Sequence, residues 1–170
     1  MIFVTVGTWH LGFDRLVAAV HELVATGVVT EEIVAQVGHG SFQSPLMKST
    51  PFLNTQDFTE HMQCARVVIS HAGVGSIAAA LDLGTPTVVV PRKAALSEAD
   101  NDHQFTTAKR LESERKVLVA YETDQLPSKL REAERFVPER AEPSPLIMQE
   151  VLQFLESVDK RRRRWRKKGK

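Results

Sequence analysis

The sequence predicts an α/β domain in which a doubly wound parallel sheet is covered by helices on both faces. Short apolar runs, such as residues 2–6 and 87–90, alternate with longer segments in which apolar residues recur every three or four positions. Glycine or proline borders most of these runs, as at Gly7, Gly38 and Pro86. Hydrophobic residues make up 42% of the 170 residues, which is enough for the core of one domain.

Strands and helices are predicted to alternate along the chain. The strands are residues 2–6, 33–37, 67–69, 87–90 and 116–120. The helices are residues 13–24, a short helix that Asp57 could cap, a helix through Ile77 and Leu81 that ends at Gly84, and residues 101–113, 124–134 and 145–158. Residues 39–51 contain a proline at Pro45 and are predicted to form a loop. In a parallel sheet of this kind, ligands are expected at the loops that follow the strands.

Cysteine and histidine usage argues against a disulfide framework or a metal site. The chain has one cysteine, Cys64, and its six histidines include no pair at positions i and i+4. The apolar N-terminus lacks the basic segment of a signal peptide, and no apolar run approaches the roughly 20 residues of a membrane-spanning helix. We therefore expect a cytoplasmic protein without a bound metal.

The charge is divided unevenly between the body of the chain and its C-terminus. Nine basic residues and no acidic ones lie between Lys160 and Lys170, whereas the rest of the chain carries a formal charge of −8. Residues 159–170 are therefore predicted to be a disordered basic tail after a folded domain at residues 1–158. The acidic body argues against nucleic acid as a partner. An anionic membrane surface is the expected partner of the tail, and a tail that serves only solubility is the alternative.

The loop after the third strand carries a pattern typical of phosphate-binding turns. Gly73 and Gly75 allow the backbone to approach a ligand, Ser76 adds a hydroxyl donor, and the following helix would present unpaired N–H groups. A tight turn without a ligand is the alternative. The run that starts at Gly73 also matches the loose dinucleotide pattern G-x-G-x-x-A. NAD(P) binding is the weaker interpretation, because the next strand leads into Arg92 and not into an acidic residue.

Two further loops supply candidate ligand-binding groups. The loop after the fourth strand concentrates carboxylates, amides, an imidazole and a guanidinium, groups that suit sugar hydroxyls: Arg92, Glu98, Asn101, Asp102, His103 and Gln104. Asp100 or Asn101 could instead cap the helix that begins there. After the first strand, Gly7 permits close approach of a ligand, and Trp9 could stack on that ligand or cover the edge of the sheet.

In three motifs the sequence resembles the C-terminal, donor-binding domain of the MurG-like glycosyltransferases, glycosyltransferase family 28. The motifs are Val4-Thr5-Val6-Gly7-Thr8 with Phe13-Asp14-Arg15-Leu16-Val17, then Ile69-Ser70-His71-Ala72-Gly73-Val74-Gly75-Ser76, then Pro91-Arg92 with Asn101-Asp102-His103-Gln104. The resemblance covers residues 1 to about 120 and is closest to free-standing versions of the domain. Such versions are the catalytic-side subunit of a eukaryotic transferase that extends dolichol-linked sugars, and small subunits of bacterial exopolysaccharide and capsule transferases.

The resemblance implies the C-terminal half of a GT-B glycosyltransferase, which takes a UDP-sugar as donor substrate and needs no metal or other cofactor. It implies that the donor diphosphate contacts Gly7, Thr8, Gly73, Val74, Gly75 and Ser76. It further implies that ribose or sugar hydroxyls contact Arg92, Glu98, Asn101, Asp102, His103 and Gln104. His71 would stabilise the UDP leaving group as a hydrogen-bond donor, and Arg92 could pair with the carboxylate of a uronic acid donor. Ala79 departs from the family, whose members commonly carry a glutamate there that resembles a ribose ligand.

The resemblance also implies a two-part, inverting enzyme. A full enzyme of this type has two Rossmann-like domains, and this chain has one. A membrane-anchored partner subunit is therefore expected to bind a lipid-linked acceptor and to supply the general base. The chain would then work in exopolysaccharide, capsule or related glycan biosynthesis, as a peripheral protein at the cytoplasmic face of the membrane. Two alternatives remain open: an NAD(P)-binding oxidoreductase domain and a non-catalytic nucleotide-sugar-binding scaffold.

Overall fold

The chain folds around a sheet in which every strand is parallel to its neighbours. The computed structural model describes residues 1–139. Its strands are β1 (Ile2–Thr5), β2 (Ile33–Gln36), β3 (Lys48–Thr50), β4 (Val67–His71), β5 (Thr87–Val90) and β6 (Leu118–Val119). Its helices are α1 (Asp14–Ala25), α2 (Thr55–Cys64), α3 (Val74–Leu83), α4 (His103–Ser113) and α5 (Leu126–Ala133), with short 3₁₀ turns at Ala94–Leu96 and Thr123–Gln125.

Side chains of the central strands alternate between two apolar layers. In β1, Ile2 and Val4 belong to the larger layer, whereas Phe3 belongs to the layer on the other face of the sheet. Helix α1 covers the larger layer with a buried stripe of residues spaced for one helical face: Leu16, Val17, Val20 and Leu23. Because both faces are covered, the central strands can carry apolar residues at successive positions, as in Ile2–Val4 and Val88–Val90.

The order of the strands reverses between β1 and β4. The sheet runs β3-β2-β1-β4-β5-β6, so the chain builds outward from β1 to one edge and then returns to β4 to build the other half. Thr5 of β1 pairs with Ser70 of β4. The loops that follow these two strands therefore open a crevice at the carboxyl edge of the sheet. This arrangement confirms the predicted doubly wound, Rossmann-like fold.

Two sequence predictions are wrong in detail. Residues 39–51, predicted to be a loop, contain β3, a mostly exposed edge strand whose sequence Lys-Ser-Thr has no apolar residue. Helix α2 is capped by Asn54, whose side chain accepts a hydrogen bond from the backbone N–H of Asp57, and not by Asp57 itself. The helix predicted at residues 145–158 and the predicted basic tail lie outside the described residues.

Candidate functional site

Two cavities open at the carboxyl edge of the sheet, on either side of His71. The first has a volume of about 390 Å³ and is bordered by the loop after β1, the start of α2 and the start of α3. The second has a volume of about 290 Å³ and is bordered by the loop after β1 and the segment that leads into α4. Thr8 and His71 line both cavities and therefore form the boundary between them.

The first cavity joins an apolar wall to a group of backbone donors. Leu53 and Phe58, both half-buried, provide the apolar wall at the start of α2. Gly73, Gly75 and Ser76 line the cavity at the first turn of α3, where the N–H groups have no partner within the helix. Glycine at the N-cap position offers no side-chain acceptor to these groups. This end of the cavity is therefore suited to an anion.

The imidazole of His71 occupies the space that two glycines leave open. A Cβ atom added to Gly73 would lie 2.0 Å from Nε2 of His71, and one added to Gly7 would lie 2.5 Å from its Cε1. Gly7 also has a φ of 77°, which residues with side chains rarely adopt. A Cβ atom added to Gly75, by contrast, would meet nothing within 4 Å. Gly7 and Gly73 thus make room for His71, and Gly75 keeps the backbone open to a ligand.

His71 is uncharged at neutral pH. Burial and the positive charge of Arg92 lower the pKa of His71 from 6.5 to about 4, although a contact with the backbone of Thr5 partly opposes this shift. Its Nδ1 atom is buried and has no hydrogen-bond partner among residues 1–139. Because a neutral imidazole carries one N–H donor and one acceptor nitrogen, His71 can donate a hydrogen bond to a ligand oxygen without adding a charge.

The second cavity combines one large aromatic ring with polar side chains. Trp9 lines it and is 47% exposed. Gln104 is buried, and its Oε1 accepts a hydrogen bond of 3.1 Å from the backbone N–H of Arg92. This bond orients the amide and leaves its NH₂ group as the donor for a ligand. Besides Thr8, His71, Arg92 and Gln104, the polar residues of its wall come from the segment before α4 and from the first residue of that helix: Asp100, Asn101 and His103.

The guanidinium of Arg92, which was expected to contact the donor, makes its hydrogen bonds within the protein. Although Arg92 borders the second cavity, the residue is 1% exposed. Its guanidinium is also stacked over the ring of Phe13, at 4.8 Å from the ring centroid. Its Nη atoms donate at 2.8–3.0 Å to four backbone carbonyls, those of Val6, Leu11, Gly12 and Glu98. These four bonds make the guanidinium part of the frame of the site, because its Nη atoms are directed at carbonyls of the protein itself.

Glu98, which was also expected to contact the donor, is held by contacts within the protein. Its carboxylate pairs with Arg15 through two hydrogen bonds of 2.8 and 2.9 Å, and it accepts a third from the backbone N–H of Lys93. Arg15 also donates to the carbonyl of Pro91 at 3.1 Å. These bonds tie the first turn of α1 to the loop after β5, and those of Arg92 tie the loop after β1 to it. Glu98 is therefore engaged by protein groups, and it does not line the second cavity, whereas the next residue, Ala99, does.

Asp102 is likewise engaged away from the second cavity, contrary to expectation. Its Oδ1 accepts a hydrogen bond of 2.9 Å from the backbone N–H of Ala94, and the residue lines a separate cavity together with Lys93. Asn101 lies at the second cavity, but its Oδ1 accepts a hydrogen bond of 3.1 Å from the backbone N–H of His103 and also contacts the ring of that histidine. Of the six residues expected to contact ribose or sugar, Asn101, His103 and Gln104 line the second cavity with side-chain groups that no other described residue engages: the NH₂ groups of Asn101 and Gln104 and one ring nitrogen of His103.

All but one of the residues expected to bind the diphosphate line the first cavity. They are Gly7, Thr8, Gly73, Gly75 and Ser76, and the exception is Val74. The side chain of Val74 is 69% exposed and lines neither of the two cavities. Ala79, half-buried on α3, also lines neither. The expected diphosphate contacts are thus brought together except at Val74.

Sequence reasoning missed several residues in the walls of the cavities. In the first cavity these are Gln36, Leu53, Asn54, Thr55 and Phe58, and in the second they are Ala99 and Asp100, the latter considered only as a helix cap. Most of the residues missed in the first cavity follow β3, a strand that is hard to recognise in the sequence because its residues are polar. Recognition of that strand would have placed the segment after it at the carboxyl edge of the sheet.

Within residues 1–139, no group of three or more His, Cys, Asp or Glu side chains is arranged to hold a metal ion. The same part of the chain contains no helix that is both long enough and apolar enough to cross a membrane.

Two relatives with similar sequences carry the same name. The chain is 37% identical over 124 residues to the UDP-N-acetylglucosamine transferase subunit ALG13 of Mus musculus, in a match that covers 66% of this chain and 10% of that protein. It is 31% identical over 137 residues to the protein of that name from Yarrowia lipolytica, in a match that covers 74% of this chain and 67% of that protein. The match thus spans about a tenth of the length of the mouse relative.

Solved structures share the fold. The solution structure of ALG13 matches with a TM-score of 0.58 and 21% identity, over 87% of this chain and 92% of that chain. The crystal structure of MurG from Acinetobacter baumannii matches with a TM-score of 0.61 and 18% identity, over 92% of this chain and 49% of that chain. These likenesses confirm a Rossmann-like α/β domain of the kind found in GT-B glycosyltransferases.

A family model extends over most of the chain. The model of the glycosyltransferase family 28 C-terminal domain matches residues 1–145, which include every strand, helix and cavity described above. This match and the Yarrowia lipolytica relative confirm the resemblance predicted from the three motifs. They give no support to the NAD(P)-binding oxidoreductase alternative. The chain belongs to glycosyltransferase family 28 and carries the C-terminal domain of that family.

Proposed function

We propose that this chain is the donor-binding subunit of a two-part, inverting glycosyltransferase that uses a UDP-sugar. The observation that carries the proposal is the pair of cavities that meet at Thr8 and His71, beside the first turn of α3. The site thus consists of three consecutive parts: one cavity, the boundary and the other cavity. A nucleotide sugar also consists of three consecutive parts: a nucleoside, a diphosphate and a sugar. This shape supports the nucleoside in the first cavity, the diphosphate at the boundary and the sugar in the second cavity.

The first cavity and its boundary suit uridine diphosphate. Leu53 and Phe58 offer an apolar surface to the base. The N–H groups at the start of α3 and the hydroxyl of Ser76 suit the diphosphate oxygens, because a helix N-terminus favours negative charge. Gly75 adds no side chain that would keep the diphosphate away from the backbone. A uridine diphosphate donor therefore fits both the chemistry and the order of the groups.

In the proposed reaction the bond between the anomeric carbon and the β-phosphate oxygen breaks, and negative charge grows on the UDP leaving group. The acceptor hydroxyl attacks the opposite face of the anomeric carbon and loses its proton to a general base. Neutral His71 and the N–H groups of α3 stabilise the growing charge by donating hydrogen bonds. The proposal assigns the general base to the partner subunit.

The acceptor-binding half is assigned to a membrane-anchored partner that forms a heterodimer with this chain. In support, the relatives from mouse and Yarrowia lipolytica are subunits by name, of a UDP-N-acetylglucosamine transferase. The matched region is 49% of the MurG chain, which leaves room there for a second half of similar size. We propose a lipid-linked acceptor, as in exopolysaccharide, capsule or related glycan biosynthesis.

The basic segment from Lys160 to Lys170 supports attachment to an anionic membrane at the cytoplasmic face. Each basic residue near an anionic leaflet contributes about 1 kcal/mol, and the segment carries nine of them. Deletion of residues 160–170 is expected to leave UDP-sugar affinity unchanged and to weaken sedimentation with anionic vesicles, with a steep salt dependence. Equal sedimentation of the deleted and full-length chains would assign attachment to the partner subunit alone.

Calorimetry with UDP, UDP-N-acetylglucosamine and NAD⁺ tests the donor assignment. Gly75→Val places a branched side chain where the diphosphate approaches, and we expect it to weaken UDP affinity about tenfold or more, the cost of about one lost charge-assisted contact. Ala79→Val lies on the same helix but outside both cavities, so it is the matched control and is expected to keep UDP affinity.

Three outcomes of these measurements would overturn parts of the proposal. Unchanged UDP affinity in Gly75→Val would remove the diphosphate site. Tighter binding of NAD⁺ than of UDP would remove the proposed function. Binding of the UDP-sugar without transfer, in the presence of a purified acceptor-binding subunit and its acceptor, would make the chain a nucleotide-sugar-binding scaffold.

A further inference from the structure

Trp9 lies at the wall of the second cavity without a role in the core. Among the described residues it belongs to none of the apolar clusters that the buried side chains form. Its aromatic contact is with the neighbouring His10, at 4.8 Å between ring centroids, and 47% of the residue stays exposed. Packing within the described residues therefore does not account for a tryptophan at this position.

The loop that carries Trp9 is fixed on both of its sides. The guanidinium of Arg92 donates to the carbonyl of Val6 at 2.9 Å on one side, and to those of Leu11 and Gly12 at 3.0 and 2.8 Å on the other. The backbone N–H of the same arginine holds the amide of Gln104. One buried residue thus fixes two walls of the cavity, and a surface held in place in advance loses less entropy when a ligand binds.

We infer that Trp9 is the stacking surface for the sugar ring of the donor, and that it is a specificity-determining residue of the transfer proposed above, on which this inference rests. A pyranose has an apolar face of C–H groups and a rim of hydroxyls. Trp9 covers the C–H face, and the NH₂ group of Gln104 and the side chains of Asp100 and His103 bind the hydroxyls. Free UDP lacks the pyranose that is transferred, so Trp9 contributes only to the binding of the UDP-sugar.

Tryptophan fluorescence gives a direct readout, because the chain has only two tryptophans. In a Trp165→Phe background Trp9 is the one remaining tryptophan. The protein is saturated in turn with UDP-N-acetylglucosamine, UDP-glucose, UDP-galactose and UDP-glucuronic acid. The donor that the enzyme uses is expected to change the emission of Trp9. Saturation with UDP is expected to leave the emission unchanged. An equal change of emission with UDP and with every UDP-sugar would overturn the inference. It would also be overturned if no UDP-sugar changed the emission while calorimetry showed that a UDP-sugar binds.

Variants of Trp9 separate stacking from a structural role. Trp9→Ala is expected to weaken affinity for the UDP-sugar about tenfold and to leave UDP affinity unchanged, whereas Trp9→Phe keeps affinity within about threefold because it keeps an aromatic face. Phe52→Ala is the matched control, since Phe52 is 44% exposed and lines neither cavity. We expect it to change neither affinity.

The remaining outcomes contradict the inference in distinguishable ways. Equal losses for UDP and UDP-sugar in Trp9→Ala would make Trp9 a structural residue of the loop. A change confined to the KM of the acceptor, with donor affinity intact, would place Trp9 on the acceptor side. A chain that binds no uridine nucleotide at all would remove the proposed function first, and the inference with it.

Discussion

The loops after β4 and β5 both border His71, yet they are held in different ways. Between β4 and α3 the chain needs only Ala72 and Gly73, and it is the absence of a side chain on Gly73 that admits the imidazole. Between β5 and α4 the chain runs through residues 91–102, and it is held by the buried side chains of Arg92 and Glu98. The loop after β4 depends on the missing side chain of Gly73, whereas the loop after β5 depends on the hydrogen bonds of its buried side chains.

The length of each loop explains the difference. A two-residue connection has both ends fixed by a strand and a helix. It needs no further bonds to hold its shape, and a glycine is enough to leave space for the imidazole. A longer connection has many more conformations, and fixing each residue costs about 1–2 kcal/mol. Hydrogen bonds from a buried charged group are strong enough to offset part of that cost. We therefore expect substitutions in the β5 loop to remove stabilising hydrogen bonds, and a substitution at Gly73 in the β4 loop to destabilise the protein by displacing the imidazole of His71.

The largest effect is expected for Arg92→Met. The change leaves four backbone carbonyls without their donor, two of them in buried hydrogen bonds and two in partly buried ones. Each buried carbonyl left unsatisfied costs about 1–3 kcal/mol. Arg110→Met is the control, because Arg110 pairs with Glu114 on the exposed surface and such pairs contribute well under 1 kcal/mol. Urea unfolding measures both. If Arg92→Met lost no more free energy of unfolding than Arg110→Met, the structural role assigned to Arg92 would be wrong.

A smaller loss is expected for Gly73→Ala. The added Cβ would lie 2.0 Å from Nε2 of His71, so the imidazole must move, and overpacking of this kind costs about 1–3 kcal/mol. Gly75→Ala, where the Cβ meets nothing within 4 Å, is expected to be neutral or slightly stabilising. In a double-mutant cycle His71→Ala should remove most of the cost of Gly73→Ala. Additive effects would show that the glycine does not act through the histidine.

The smallest effect concerns pH. Because the pKa of His71 is lowered from 6.5 to about 4 by burial and by Arg92, the unfolded chain takes up a proton at higher pH than the folded one. This contribution to stability is present above pH 6.5 and is lost as the pH falls toward 4, by about 1 kcal/mol between pH 7 and pH 5.5. Unfolding of the wild type and of His71→Asn at both pH values measures it. The same pH dependence in both chains would refute the burial of a neutral imidazole.

The fold was largely readable in the sequence because its signals are local. The apolar runs that became β1, β2, β4 and β5 and the glycine that ends α3 at Gly84 depend on residues close together in the chain. The one strand that was missed, β3, lies at the edge of the sheet and is mostly exposed, so its residues need not be apolar. An edge strand with a polar sequence differs little from a loop until its neighbour is known.

The sequence by itself determined the family, the order of the elements and the loops at which ligands are expected, since motifs and periodicity are properties of the chain. Only the tertiary structure decided which polar side chains face a cavity. A carboxylate or guanidinium in a loop looks the same in sequence whether it meets a sugar or a backbone carbonyl, and Arg92 and Glu98 meet the carbonyls and N–H groups of their own chain. The apolar wall at Leu53 also required the fold, because it comes from residues distant from His71 in sequence.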